Sequence, residues 1–210
     1  MKSIVCYETQ HGSAKRLATA IADKLGCLCV NVDTPFQAED ETVYDALVLV
    51  FGFRGPYTAQ LTKLFLQKMA GKLNYKHLIV AGEGLFSEKE FPSVAEGLKA
   101  IATPASFHSF FMKGQLRVAT LTPEEQALLA KFSELTGMEI VDMGEFSDAD
   151  AQNVADEIFE VLEKCPVLED PNAGKKRWIC SVCGYIHTGE EPPATCPVCK
   201  QTGDIFKPVS

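Results

Sequence analysis

Two Cys-x-x-Cys pairs near the end of the chain, Cys180/Cys183 and Cys196/Cys199, stand twelve residues apart. Each pair makes one tight knuckle, so four thiolates can face a single tetrahedral ion. All-sulfur tetrahedral coordination suits iron or zinc. A segment of about thirty residues buries too little apolar surface to fold unaided, so bound metal contributes much of its folding free energy. Trp178, Tyr185, Ile186 and Phe206 are expected to form a lid over the site. Such a lid matters because low dielectric and N–H bonds to sulfur set a centre's reduction potential. Gly184 is free to take the positive φ that a sharp turn after the first knuckle needs. Lys200 holds the equivalent place after the second and fits it less well.

The run W-x-C-x-x-C-G-Y, Gly189, Pro192-Pro193, C-P-x-C and Phe206 resembles a rubredoxin domain over residues 178–208. The short interval between the pairs is similar to the compact version at the end of rubrerythrins. The resemblance implies one iron held by Cys180, Cys183, Cys196 and Cys199 and cycling by one electron. A structural zinc ribbon with the same ligands is the alternative.

The 210 residues leave room for one ordinary domain besides this module. No run approaches membrane-spanning length and no charged-then-apolar leader opens the chain, so a cytoplasmic protein with no membrane partner is expected. The other four cysteines, Cys6, Cys27, Cys29 and Cys165, lie singly or in apolar runs and read as reduced core thiols. The formal charge is −8, divided as +2 from Lys175 onward and −10 before it. So acidic a body excludes nucleic acid as an expected partner, and the opposite signs favour transient docking of tail and body. Equally, Lys175–Arg177 reads as the solvated end of a linker.

Apolar runs and amphipathic segments alternate through the rest of the chain. Strands are expected at Lys2–Tyr7, Cys27–Val32, Ala46–Phe51, His77–Ala81 and Ser106–Met112. Helices are expected at residues 17–25, Leu61–Met69, Phe91–Ile101 and Ala149–Leu162. This pattern predicts an α/β fold, a doubly wound five-stranded parallel sheet, followed by the small metal-knuckle domain. Pro123–Thr136 interrupts the alternation as an inserted helix with Leu128, Leu129 and Phe132 as its buried face, and Glu139–Asp142 reads as a short edge strand. The expected domains are residues 1–164 and 178–210. Residues 165–177 form the linker, with two prolines, a glycine and no apolar period.

Ligands of such sheets bind beyond the carboxyl ends of the strands. After the first strand come Thr9, Gln10, His11, Gly12, Ser13 and Ala14, then a helix. Hydroxyls, a glycine and successive N–H groups at a helix N-terminus make a phosphate cradle. The loop after the third strand carries Phe51, Gly52, Phe53, Arg54, Gly55 and Tyr57; that after the fourth carries Gly82, Glu83, Gly84, Leu85 and Phe86.

The pattern Tyr7-x-Thr9-x-x-Gly12-Ser13-x-Lys15-x-x-Ala18, with Tyr44-Asp45-Ala46, resembles the flavodoxin family over residues 1–164. It implies noncovalent FMN with its phosphate at Thr9–Ala14. Three positions depart from the family's pattern. Ala14 stands at the loop's usual final hydroxyl, Arg54 where a flavin-stacking aromatic is often found, and Leu85 where an acid is usual. Phe53 or Tyr57 can stack in place of Arg54, and Phe86 can cover the ring's other face. Arg54 either faces the flavin and favours its anionic reduced form or forms an ion pair with a nearby carboxylate. His77, His108 and His187 read as structural.

A two-electron flavin domain tethered to a one-electron iron centre implies an electron-transfer protein. A flexible linker spans ~5–6 Å times the square root of its length, which keeps the two centres at high effective concentration. The resemblance points to redox proteins as partners: a rubrerythrin-like or flavodiiron-like terminal reductase, and a flavin or ferredoxin-type donor, in anaerobic oxidative-stress defence. A homodimer is also compatible with the family. The alternatives are a flavodoxin-type flavin reductase or dehydrogenase, and an FMN-less scaffold with a structural zinc ribbon.

Overall fold

The computed structural model describes residues 1–34, 44–54, 58–69, 73, 75–85, 87–165, 176–182, 186–197, 200–202 and 205–209. They fall into two compact units, Met1–Val167 and Leu168–Ser210. Among the described residues no helix is long and apolar enough to cross a membrane.

In the first unit β1 (Ser3–Glu8), β2 (Leu28–Asn31), β3 (Ala46–Gly52), β4 (His77–Gly84) and β5 (Ser106–Lys113) form one parallel sheet, ordered β2-β1-β3-β4-β5. All of β1 and β4, and β3 up to Phe51, are buried. Strands covered on both faces read as continuous apolar runs, which is why SIVCY and ALVLVF carry no alternation. Helices α1 (Ser13–Leu25) and α5 (Asp148–Lys164) bury Leu17, Ile21, Ala155 and Ile158 against Val5, Val48 and Ile79. On the other face α2 (Gln60–Met69) and α3 (Phe91–Ala102) bury Phe65, Leu66 and Leu98 against Ile4, Leu47 and Leu78. The strand order reverses between β1 and β3, and that reversal opens a crevice at the carboxyl edge of the sheet.

Three expectations are corrected. Helix α4 (Pro123–Thr136) starts where expected, with a capping box in which Thr122 Oγ1 accepts from the Glu125 N–H and the Glu125 carboxylate accepts from the Thr122 N–H. Its apolar face is not buried, however. Leu128, Phe132 and Leu135 are exposed, Leu129 is half-buried, and no α4 residue enters either core. Second, Glu139–Asp142 forms no strand. Met143–Gly144 (β7) pairs antiparallel with Gln115–Leu116 (β6) instead, because Asp142 accepts from the Val118 N–H and Gly144, at φ 66°, turns the chain against the Gly114 carbonyl. Third, Cys29 is no core thiol: it is exposed on edge strand β2. Cys6 is buried and the Cys27 thiol is pushed up to about 11, mainly by burial, so both stay protonated at neutral pH.

The second unit is a three-stranded antiparallel sheet of β8 (Arg177–Cys180), β9 (Ile186–Thr188) and β10 (Phe206–Val209), ordered β10-β8-β9. Cys180, Cys196 and Phe206 make its small core, with Trp178 and Ile205 packed against them.

The two cores and the bare α4 face should respond differently to truncation. Ile158→Ala is expected to destabilise the first unit by about 2–5 kcal/mol. Leu128→Ala is expected to change it by less than about 0.5 kcal/mol. Urea denaturation followed by far-UV circular dichroism measures both, and equal losses would refute this account of the inserted helix.

Candidate functional site

At the carboxyl edge of the sheet two carboxyl groups are buried, those of Glu8 and Glu83. Glu8, the last residue of β1, is 5% exposed and accepts hydrogen bonds at Oε2 from the N–H and the hydroxyl of Thr62, each at 2.9 Å. It thereby caps the first turn of α2 and fixes the loop after β3 relative to β1.

Between β1 and α1 the chain turns through Thr9–Gly12. Thr9 Oγ1 accepts from the Gly12 N–H at 3.0 Å, and Gly12 sits at φ 92° as the N-cap of α1 without a side-chain cap. Nothing lies within 4 Å of where a Gly12 Cβ would be. The positive φ suits glycine, and the open, uncapped turn fits an anion: the first-turn N–H groups of a helix need acceptors. Gln10 and His11 are exposed on the loop, whereas Ala14 faces inward and packs in the α1/α5 core. Ala14 therefore contributes no side chain to the cradle.

Ser13 Oγ donates to Glu83 Oε1 at 2.6 Å. Glu83, near the end of β4, is 6% exposed, and its carboxyl lies in a slot made by two glycines. A Cβ on Gly52 would come within 2.6 Å of Oε1, and one on Gly114 would collide with Oε2. Burial pushes the Glu83 carboxyl up; the Ser13 hydrogen bond and the His11 charge oppose this without cancelling it.

Above the cradle the inserted helix reaches the other loops. Glu125 of α4 lies 3.0 Å from His11 Nε2 and accepts from Arg54 Nε at 3.3 Å. Burial alone would raise the Glu125 carboxyl, but hydrogen bonds from Thr122 and His11 outweigh it and hold it below the usual range. Of the two alternatives for Arg54, the ion pair is thus the one present. No sequence signal named its partner, since Glu125 lies 71 residues away.

The aromatic and glycine positions divide. Phe53 sits in a ring cluster, with centroids 5.9 Å from Phe51, 6.1 Å from Phe111 and 6.3 Å from Phe91. Its ring thus packs on three neighbouring rings while the residue stays only partly buried. Phe51 is fully buried, and a Cβ on Gly82 would strike Phe91, so both are packing positions. Gly84 approaches Phe53 closely, and Leu85 covers Gly144. Gly55, Tyr57 and Phe86 lie outside the described residues. His77 is buried and bonds Ser106, as a structural histidine would.

In the small unit Cys180 and Cys196 are 1% and 0% exposed beneath Trp178, Ile205 and Phe206. The Trp178 indole donates to the Gly189 carbonyl at 3.0 Å, which anchors the ring. Ile205 was not among the expected lid residues. Cys183, Gly184, Tyr185, Cys199 and the side chain of Ile186 lie outside the described residues. The Lys200 N–H donates to the Cys196 carbonyl at 2.9 Å with Lys200 at φ 60°, the left-handed turn a glycine would take without strain.

The flavodoxin domain model matches residues 4–139, more than half of the chain. The chain belongs to the flavodoxin family. A second model, the rubredoxin-like domain of rubrerythrin, matches residues 178–207. Over 31 residues the chain is 55% identical to reverse rubrerythrin-1 of Clostridium acetobutylicum, covering 15% of this chain and 17% of that protein. Over 30 residues it is 43% identical to a putative rubrerythrin of Methanocaldococcus jannaschii, covering 14% and 15%. The chain thus spans about a sixth of the length of these curated relatives. Among solved structures, oxidised flavodoxin 2 from Bacillus cereus is 17% identical, with a TM-score of 0.46, covering 77% of this chain and 99% of that one. The flavodoxin domain implies a flavin and the rubredoxin-like domain implies iron. The left-handed, uncapped Gly12 turn and the two buried thiols beneath Trp178 fit those groups.

Two outcomes follow from this geometry. Because burial raises the Glu83 carboxyl, the folded protein holds that proton more tightly than the unfolded chain, and stability is lost as pH rises through the folded pKa. Glu83→Gln removes the titration, so its denaturation midpoint should exceed that of the wild type at neutral pH. The gap should close as pH falls toward about 4.3, the free carboxyl value. Midpoints that differ equally at every pH would contradict this. Lys200→Gly should stabilise the metal-loaded module by about 1 kcal/mol, read as a higher urea midpoint for loss of the metal–thiolate absorption.

Proposed function

We propose that this flavodoxin is an electron-transfer protein that relays electrons between FMN in residues 1–164 and one iron in residues 178–210, joined by a linker at 165–177. The observation that carries this reading is the presence of both redox domains in one chain. When bound, the flavin supplies two-electron and the iron one-electron chemistry, so together they connect donors and acceptors of different electron number.

The chain's residues have distinct tasks in this reading. Thr9 shapes the turn, Gly12 admits close approach, and the first-turn N–H groups of α1 hold the phosphate. Gly52, Arg54, Gly84 and Leu85, with Gly55, Tyr57 and Phe86, border the ring. Arg54 is held by Glu125, so its charge is largely compensated and favours an anionic flavin less than a free guanidinium would. Cys180, Cys183, Cys196 and Cys199 hold the iron, while Trp178 and Phe206 keep water from the sulfurs and so tune the potential. The partners are redox proteins: a terminal reductase of rubrerythrin or flavodiiron type as acceptor, and a flavin or ferredoxin-type donor, in defence against peroxide, superoxide or oxygen.

Anaerobically purified protein should show one FMN and one iron per chain, with ferric–thiolate absorption and a high-spin ferric EPR signal. Cys196→Ser should lose the iron signal and retain the FMN. After rapid reduction of one centre, the other should be reduced at a rate independent of protein concentration. Zinc in place of iron with no flavin would overturn the relay.

A further inference from the structure

A serine hydroxyl has one proton to donate and two lone pairs to accept with. The Ser13 hydroxyl gives its proton to Glu83 Oε1 at 2.6 Å, so it has none to offer a ligand on the phosphate loop while Glu83 is ionised. Ser13 is also the loop's last hydroxyl, because Ala14 faces the core. The carboxyl cannot simply swing aside: Glu83 is 6% exposed and its carboxyl is flanked by Gly52 and Gly114, where even a methyl group would collide with it. Among the described residues its hydrogen-bond partner is Ser13, and Oε2, which takes no bond there, keeps contact with solvent. A second negative charge beside a bound phosphate in so buried a place is strongly unfavourable.

Reversing the hydrogen bond resolves both conflicts. From this geometry we infer that Glu83 is a proton-coupled member of the phosphate cradle: it takes up one proton as FMN binds, donates that proton to Ser13 Oγ, and frees the Ser13 O–H to donate to the phosphate. The proton comes from solvent, the one bond made is the Glu83 O–H, and the chain of donors runs Glu83 to Ser13 to phosphate. Burial, which already raises the carboxyl, makes the uptake easier. This deepens the FMN reading and rests on it.

The other charged groups around Glu83 come from every neighbouring element. His11 lies on the loop above, and Lys15 on α1 and Lys113 at the end of β5 are exposed. Arg54 after β3 is paired with Glu125 of α4, which also holds His11. Glu8 of β1 is committed to Thr62. All of these are unchanged in a Glu83→Gln variant, whose amide can donate to Ser13 Oγ at any pH. The ratio of wild-type to variant affinity therefore isolates Glu83 from them and from the ligand's own phosphate ionisation.

The test uses the full-length, iron-loaded chain freed of flavin. FMN and riboflavin are titrated by flavin-fluorescence quenching from pH 5.5 to 8.5 with the wild type and with Glu83→Gln. Relative to the variant, wild-type affinity for FMN should fall about tenfold per pH unit wherever Glu83 is ionised in the free protein. Riboflavin, which lacks the phosphate, should show no such divergence. Parallel FMN profiles for the two proteins would overturn the inference. Should Glu83→Gln not fold, calorimetry of wild-type FMN binding at pH 8 in buffers of different ionisation enthalpy reads the proton directly. Uptake of one proton supports the inference and zero uptake overturns it. FMN that binds neither protein at any pH would instead overturn the flavin reading itself, a result distinct from binding that is tight but pH-flat.

Discussion

A parallel sheet covered on both faces has nowhere to put a polar side chain except its ends. β1, β3 and β4 are apolar through their middles; Ser3 and His77 are buried at the amino edge, and Glu8, Gly52 and Glu83 mark the carboxyl edge. This confinement organises the rest of the molecule. It brings two buried carboxyls to one edge, and each meets a helix beginning there: Glu8 caps α2 through Thr62, and Glu83 receives the first residue of α1 through Ser13. The loops that carry the candidate chemistry are fixed from beneath by groups that do no chemistry in the proposed relay.

The inserted helix adds a second constraint from above. α4 contributes nothing to either core, yet its N-terminal Glu125 holds His11 and Arg54, which belong to different loops. The same carboxylate closes the capping box with Thr122. The fold of the helix end and the positions of the two loops thus depend on one side chain. Hydrogen bonds from Thr122 and His11 hold this carboxyl below its usual range, so it is ionised and the tie persists at neutral pH.

Most of the architecture was legible because each signal had a single physical origin. Unbroken apolar runs marked strands buried on both faces, and paired Cys-x-x-Cys knuckles marked the metal module. The turn before α1 was legible from Gly12 and the amphipathic helix that follows. The failures share a cause as well. The packing of Phe53 was not legible because its partners Phe91 and Phe111 come from other elements, α3 and β5. Leu128 and Phe132 looked buried because apolar spacing on a helix shows a face without showing what covers it. Arg54's partner and the Ser13–Glu83 hydrogen bond are tertiary contacts between residues 71 and 70 positions apart, which no local pattern encodes.

The slot around Glu83 also bears on how such a chain can diverge. Gly52 ends β3 and Gly114 follows β5, and both are held to glycine by the same carboxyl standing between them. A side chain gained at either position needs a shorter residue at 83, and a shortened residue 83 leaves a void that a neighbour must fill. Substitutions at these three sites are therefore tied, and drift at one is blocked until another has changed. In an aligned set of relatives the signature would be correlated replacement across three strands that are distant in sequence, a mark of shared space rather than shared chemistry.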